Sequence, residues 1–367
     1  MTMPIISDLD KQELQIIGCL ERESADALTY IGFSEKTAQE IWENYKDAPF
    51  DSPYDLMGYI EGHIEGCGTE GLKDRDALTE MGLSTDFQDR LLDPNCFDIL
   101  RTRELKEWVL EFLECNLIMI PVLLERSKSW AGRSRRASME NTLDDFYLPS
   151  AQVTIIESRP ALKMGHTMLY KAIPGLRCKN WIETDGSINV AKLITHGGGD
   201  FNRINPAFYW TQELATAEKY RFWQQSNIRN GDIWIISIQV PTQWIKDTFK
   251  YTSLEFSNPW KQYVWHCKSQ RKPRPEDMQH ADADWIHGHI CTGRTERVTD
   301  IAKADIETVM TDEFLLMNKD VRATQDCIMN VRTMEEVFRK AGQPHVDVAV
   351  AVPPKGAVSN KGKAAKK

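Results

Sequence analysis

No apolar run in this chain is long enough to span a bilayer. The longest, Leu117–Leu124, is interrupted by Pro121 and flanked by Glu114 and Glu125, whereas a membrane-spanning helix needs about 20 apolar residues. It reads as a buried helix segment. No secretory leader is expected from MTMPIISDLDKQEL, which carries acids where a basic region and an apolar stretch belong. The eight cysteines, from Cys19 to Cys327, form no CxxC pair and keep no regular spacing, which argues for reduced thiols and against a disulfide framework. These absences predict a cytoplasmic or nuclear protein. Nor is there a phosphate loop, because no Lys-Ser/Thr follows Gly197-Gly198-Gly199. That run reads as a turn or rim loop.

Positive charge is scarce in the first hundred residues, which hold about 22 acids and 7 bases, roughly −15, and leave roughly +6 for the rest. The whole chain, 367 residues with 41% hydrophobic content, carries −9. Such an acidic part repels a phosphate backbone and argues against nucleic acid. The length predicts two domains or three.

What is present is helical first. Apolar residues recur at helical spacing in Leu14–Leu20, Ala38–Tyr45 and Leu105–Leu124. Ser34 and then Asp51 or Ser52 read as helix starts. An echo runs at an offset of 50 residues: Asp26-Ala27-Leu28-Thr29-x-x-Gly32-x-Ser34 recurs as Asp76-Ala77-Leu78-Thr79-x-x-Gly82-x-Ser84, and Glu61 and Glu111 share the offset. A duplicated helical unit explains it, as does chance similarity between short helix–turn–helix segments. The reading is an acidic α-helical domain over 1–128 and a basic linker over 129–150. The linker contains Arg135-Arg136-Ala137-Ser138, a pattern that basophilic kinases favour, so Ser138 is a candidate regulatory site. An α+β domain over 151–341 follows, then a Lys-rich tail over 342–367 that composition predicts to be disordered.

The third region has short β-type runs at 153–157, 168–173, 207–211, 232–240, 284–291 and 327–331. Helices are expected at Leu214–Gln225 and Trp260–Lys268. Strands with a few helices in non-alternating order predict an α+β fold. His287, His289 and Cys291 fall on one strand face, but three in-line strand residues span about 13 Å, too far to share one metal ion. No metal is expected, the alternative being a metal-dependent domain centred on His287 and His289 with His266 near.

Three ordered segments carry the chemistry. They are Leu169-Tyr170-Lys171-Ala172; then Asp200-Phe201, Pro206-Ala207-Phe208-Tyr209-Trp210-Thr211 and Ala217-Glu218-Lys219-Tyr220; then Trp260-x-x-Tyr263-Val264-Trp265 through Asp284-Trp285-Ile286-x-Gly288. In this order they resemble the ADP-ribosyltransferase-like fold over about 150–341. The likeness is greatest to fungal members and to those known as a domain of unknown function, which carry "LYHG" or "LYRG", "DFG-x-GFYLT" and "DWIxG" segments. The resemblance implies a split β-sandwich that grips NAD as a substrate while its glycosidic bond breaks toward an oxocarbenium-like cation. It implies a glycosyltransferase passing ADP-ribose to a protein acceptor, or hydrolysing NAD.

The same resemblance assigns roles. Lys171 stands where relatives have His or Arg, Tyr170 and Ala172 flank it, and the Ala172 backbone would hold the carboxamide. Tyr209 would stack on nicotinamide with Tyr220 closing the other face, and Thr211 completes that strand. Gln325 takes the catalytic position, unless Thr333 anchors the register and the position falls on Ile328. Asp326 faces away by alternation, and Glu313 is a remote substitute. A lysine lacks the guanidinium fork and the imidazole acceptor, and a neutral Gln stabilises a cation less than a carboxylate does. The rival reading is therefore an interaction module that keeps the fold without the chemistry, its helical domain binding a protein partner.

Overall fold

The computed structural model describes residues 20–133, 154–155, 160–178, 181, 188–195, 199–229, 231–269, 280 and 282–349. The first stretch folds as α1 (Ala25–Ile31), α2 (Glu35–Lys46), α3 (Leu56–Gly66), α4 (Asp74–Glu80), α5 (Thr85–Leu91), α6 (Phe97–Leu100) and α7 (Leu105–Arg133). Side-chain oxygens of Ser24, Ser34, Asp55 and Ser84 accept amides of the first turns of α1, α2, α3 and α5, satisfying donors a helix start leaves orphaned. The start expected at Asp51 or Ser52 lies at Asp55 instead. Pro53 accounts for the shift, because its ring disfavours helical geometry at Ser52.

The echoed segments lie side by side. Ser34 N donates to Gly82 O and Ser84 N to Gly32 O, both at 2.8 Å, and Phe33 and Leu83 form an antiparallel bridge between them. Gly82 has φ +73°, and a Cβ there would lie 2.1 Å from Thr37 Oγ1. Only glycine fits that turn. Around it Leu28, Ile31, Ile60, Ile64, Leu78, Phe87, Val109 and Phe112 form one buried core. The run Leu117–Leu124 falls inside α7, Pro121 included. That helix continues to Arg133, so the first residues assigned to the linker are helical. Ser138 lies outside the described residues.

The remaining chain supplies strands β1 (Thr154–Ile155), β2 (His166–Pro174), β3 (Phe208–Trp210), β4 (Ile233–Pro241), β5 (Tyr251–Leu254), β6 (Trp285–His289), β7 (Met317–Asn318), β8 (Val321–Arg322), β9 (Thr324–Ile328) and β10 (His345–Ala349). Its helices are α8 (Leu214–Asn227), α9 (Thr242–Thr248), α10 (Asn258–Ser269), α11 (Thr295–Thr299), α12 (Ile306–Val309) and α13 (Val331–Ala341). One sheet has the order β1-β10-β4-β2 and the other β3-β9-β6-β5. They meet at one antiparallel bridge: Tyr170 N donates to Thr211 O at 2.7 Å, and Thr211 N to Tyr170 O at 2.9 Å. Between the sheets lies a core of Leu169, Ile173, Trp234, Ile236, Phe208, Trp210, Trp285, Ile328 and Phe338. The fold is α+β.

Two further corrections follow from pattern. The tail assigned to 342–367 begins with a strand, because β10 pairs with β4 from His345↔Ser237 to Ala349↔Ile233 and with β1 in parallel. Its Val-Asp-Val alternation is a strand period that bulk composition hides. The expected strand over 327–331 ends at Ile328, after which Asn330 caps α13 by accepting from Thr333 N at 2.8 Å. The apolar face of α13, Met334, Val337 and Phe338, is buried between the sheets.

Candidate functional site

The junction of the two sheets fixes where the expected site residues fall. In an antiparallel pair, directly opposed residues share a face and alternate residues point the same way. Tyr209 opposes Cys327, so Tyr209, Thr211 and Gln325 lie on one face of the second sheet. The Tyr170–Thr211 bridge extends that face to Tyr170. Ala172, two residues on, presents its backbone groups at the same edge of β2. Lys171 does not share this face. It falls with Leu169 and Ile173 on the side of the core between the sheets, and its Nζ crosses to donate to the Tyr209 carbonyl at 3.1 Å.

Gln325 is 7% exposed and its amide is committed. Nε2 donates to Asp200 Oδ2 at 2.6 Å, and the same oxygen accepts from Cys291 N at 2.8 Å. The other Asp200 oxygen pairs with Lys268 Nζ at 3.1 Å. Lys268 is 1% exposed. Burial works against its charge, but Asp200 outweighs it and the ammonium is pushed up to about 12. A buried ion pair with two further donors on the carboxylate is a network in which each member is needed by the others. Tyr209 is held as firmly, since its hydroxyl donates to Asn202 Oδ1 at 2.7 Å and accepts from Phe201 N at 2.9 Å.

The helical unit supplies the lid of this arrangement. Thr102, in the turn between α6 and α7, is buried, and its carbonyl accepts from Lys268 Nζ at 3.4 Å. Tyr220 of α8 packs against the helical core. Burial pushes its phenol up to about 12, while a hydrogen bond with Thr102 and the charge of Arg103 pull it down. Farther along, Arg177 pairs with Glu114 at 2.9 Å and with Glu111 at 3.8 Å, and Arg103 also bonds Glu111. Burial would raise the Glu111 carboxyl, but the two guanidinium groups hold it below the usual range. Burial lowers the Lys171 ammonium to about 8, against the pull of Glu111. Open surface pockets of about 510 and 400 Å³ share Phe97; the first is lined by the helical unit alone, the second also by Thr292, Glu313, Leu315 and Met317, and neither by Gln325, Tyr209 or Lys171.

The opposite face of the second sheet carries a separate polar group. Asp326 is fully buried and accepts from Trp285 Nε1 at 2.7 Å and Gln212 Nε2 at 3.0 Å, with His287 Nδ1 at 3.2 Å. His289 pairs with Glu255 at 3.3 Å, so the two histidines take different partners. Glu313 lies in an exposed turn and gives its carbonyl to Thr292 Oγ1 at 3.2 Å. Thr333 is in α13, away from β9. Among the described residues no group of three or more His, Cys, Asp or Glu side chains gathers as a metal site, and no helix is long and apolar enough to cross a membrane.

Sequence reasoning passed over Lys268, Thr102 and Asn202. A lysine in the last turn of a helix reads as a solvated dipole partner, so only its apolar surroundings, Val264, Trp265 and Cys267, signalled burial. No family model, curated protein or solved structure matches the chain.

Proposed function

We propose that this chain is an ADP-ribosyltransferase-like split β-sandwich that has filled its own cleft and works as a protein interaction module, with the helical unit as its partner-binding part. The observation that carries this reading is the Gln325–Asp200–Lys268 network, in which the group at the expected catalytic position donates to a buried carboxylate at 2.6 Å. Transferase chemistry needs a group at that position free to stabilise a ribosyl cation on the ribose side. Gln325 is 7% exposed and its amide nitrogen is turned to Asp200, so the side chain is drawn into the buried network and away from a ribose. Lys171 adds to this by giving its ammonium to the Tyr209 carbonyl, at the edge where a nicotinamide carboxamide would need backbone partners.

The transferase reading keeps one observation in its favour. Ala172 directs its backbone groups toward the gap between β2 and β3, the edge that relatives use for the carboxamide. Incubation of the full chain with NAD separates the two. The module reading expects no nicotinamide release and no heat of NAD binding by calorimetry. Nicotinamide release that Gln325→Ala abolishes would return the protein to the transferases.

A further inference from the structure

The corner at which α2 turns into α3 carries Trp42, Tyr45, Phe50, Tyr54 and Tyr59. Phe50 is 108% exposed and Tyr54 66%. Trp42, Tyr45 and Tyr59 are half-buried at the margin of the helical core. Their rings are set at angles to one another: Trp42 and Tyr45 stand 5.7 Å apart and tilted by 40°, Tyr45 and Tyr59 5.5 Å apart and near perpendicular at 76°. Large rings left in water, as Phe50 and Tyr54 are, forgo burial, and exposed aromatic surface beside further half-buried rings is the kind that interaction sites use.

Negative charge predominates around the rings, although Arg22 also acts on Tyr45. Between positions 42 and 59 the acids are Glu43, Asp47, Asp51 and Asp55, against the single base Lys46, and all four acids are exposed. Glu23 joins them, with its Oε2 accepting from the Tyr45 hydroxyl at 3.2 Å. Burial, Glu23 and Asp55 together raise the Tyr45 phenol, which places both carboxylates within electrostatic reach of that ring. An anionic partner is repelled here, and an uncharged apolar one would have to strip water from carboxylates without compensation. A cation gains twice, from the negative ring faces and from the carboxylates around them.

We propose that this aromatic, acidic corner is a docking site for a lysine- or arginine-rich peptide segment of a partner protein. One cationic side chain lies against the rings of Trp42, Tyr45 and Tyr59, flanking ones pair with Asp47, Asp51 and Asp55, and Phe50 and Tyr54 close over the peptide. The proposal deepens the interaction-module reading, on which its biological role rests, by naming the chemistry of the partner.

The test titrates the full chain by calorimetry with a synthetic lysine–serine repeat peptide, and with a glutamate–serine peptide of equal length. Binding of the first and not the second is expected, and it should weaken as salt rises. Phe50→Ser combined with Tyr54→Ser, both at exposed positions, should lower affinity about 5- to 30-fold, the range that loss of partial ring burial over the peptide supplies. Asp47→Asn with Asp51→Asn should lower it too and flatten the salt dependence. Absence of binding, or equal affinity in the aromatic double variant, overturns the proposal. So does self-association of the free chain that Phe50→Ser abolishes, because a second copy would then be the occupant. Nicotinamide release from NAD on the same preparation bears on the module reading alone, so the two fail separately.

Discussion

A charge removed from water persists only where a partner replaces the lost hydration, and two places in this molecule depend on that rule. Asp200 and Lys268 are both nearly inaccessible and 3.1 Å apart. Lys268→Met leaves the carboxylate unpaired and is expected to destabilise the chain by about 3–5 kcal/mol in urea denaturation, while adding Asp200→Asn should recover much of the loss. The second place is His287. Burial disfavours its charged form, but Asp326 overcomes this through a hydrogen bond and its charge, and the imidazole is raised above 6.5. Stability from this pair is fully present below the unfolded value and is lost as pH rises through the folded one. Imidazole resonances should give a His287 midpoint above 6.5 that falls in Asp326→Asn; a midpoint at or below 6.5 in the parent chain refutes the assignment.

At the level of elements, local chemistry decides what the sequence discloses. The helix start at Ser34 was legible because a hydroxyl that accepts a first-turn amide leaves its mark in the residue type. The β2, β3, β4 and β6 runs were legible because their apolar and β-branched residues are buried. Period two could show only which residues of one strand share a face, as Tyr170 and Lys171 do not. Pairing partners could not be read. That Lys171 points away from Gln325 depends on the Tyr170–Thr211 bridge, a contact between segments about 40 residues apart. β10 escaped because Gly342 and the lysines beyond it dominated the composition of that end, and the start of α13 was hidden when the run 327–331 was read as strand through its Asn330 cap. Gly82 offers a direct test of the paired turns. Gly82→Ala should cost more than about 1 kcal/mol, from its positive φ and the clash with Thr37. Gly62→Ala, on α3 with open space around it, should stabilise by about 0.5–1 kcal/mol. Thermal denaturation of the two variants reads the contrast.

Across the whole molecule, the helical unit and the sheets share one interior. Trp223 of α8 sits fully buried against Trp108 and Phe112 of α7, at 5.7 and 5.5 Å between ring centres. Arg294 holds Asp74 through two bonds of 2.5 and 2.8 Å, Lys219 pairs with Asp98, and Asn116 bridges Ile31 O and Asn227 O. A shared apolar seam crossed by these polar contacts makes the two parts unfold together. Calorimetry should show one transition, coincident with that seen by circular dichroism. Trp223→Ala, expected to cost about 3–5 kcal/mol, should lower that transition and separate the helical from the sheet signal.

The strand order also sets a timetable for synthesis. Both sheets take a central strand from the last strands to be made: β9 lies between β3 and β6, and β10 between β1 and β4. A nascent chain halted before residue 324 would hold β3 and β4 with unfilled edges, exposing backbone donors and acceptors to any strand nearby. The helical unit, by contrast, is complete once α7 has emerged. During translation the acidic helices are therefore formed first, and the sheet region passes through a long interval in which its edges need shielding.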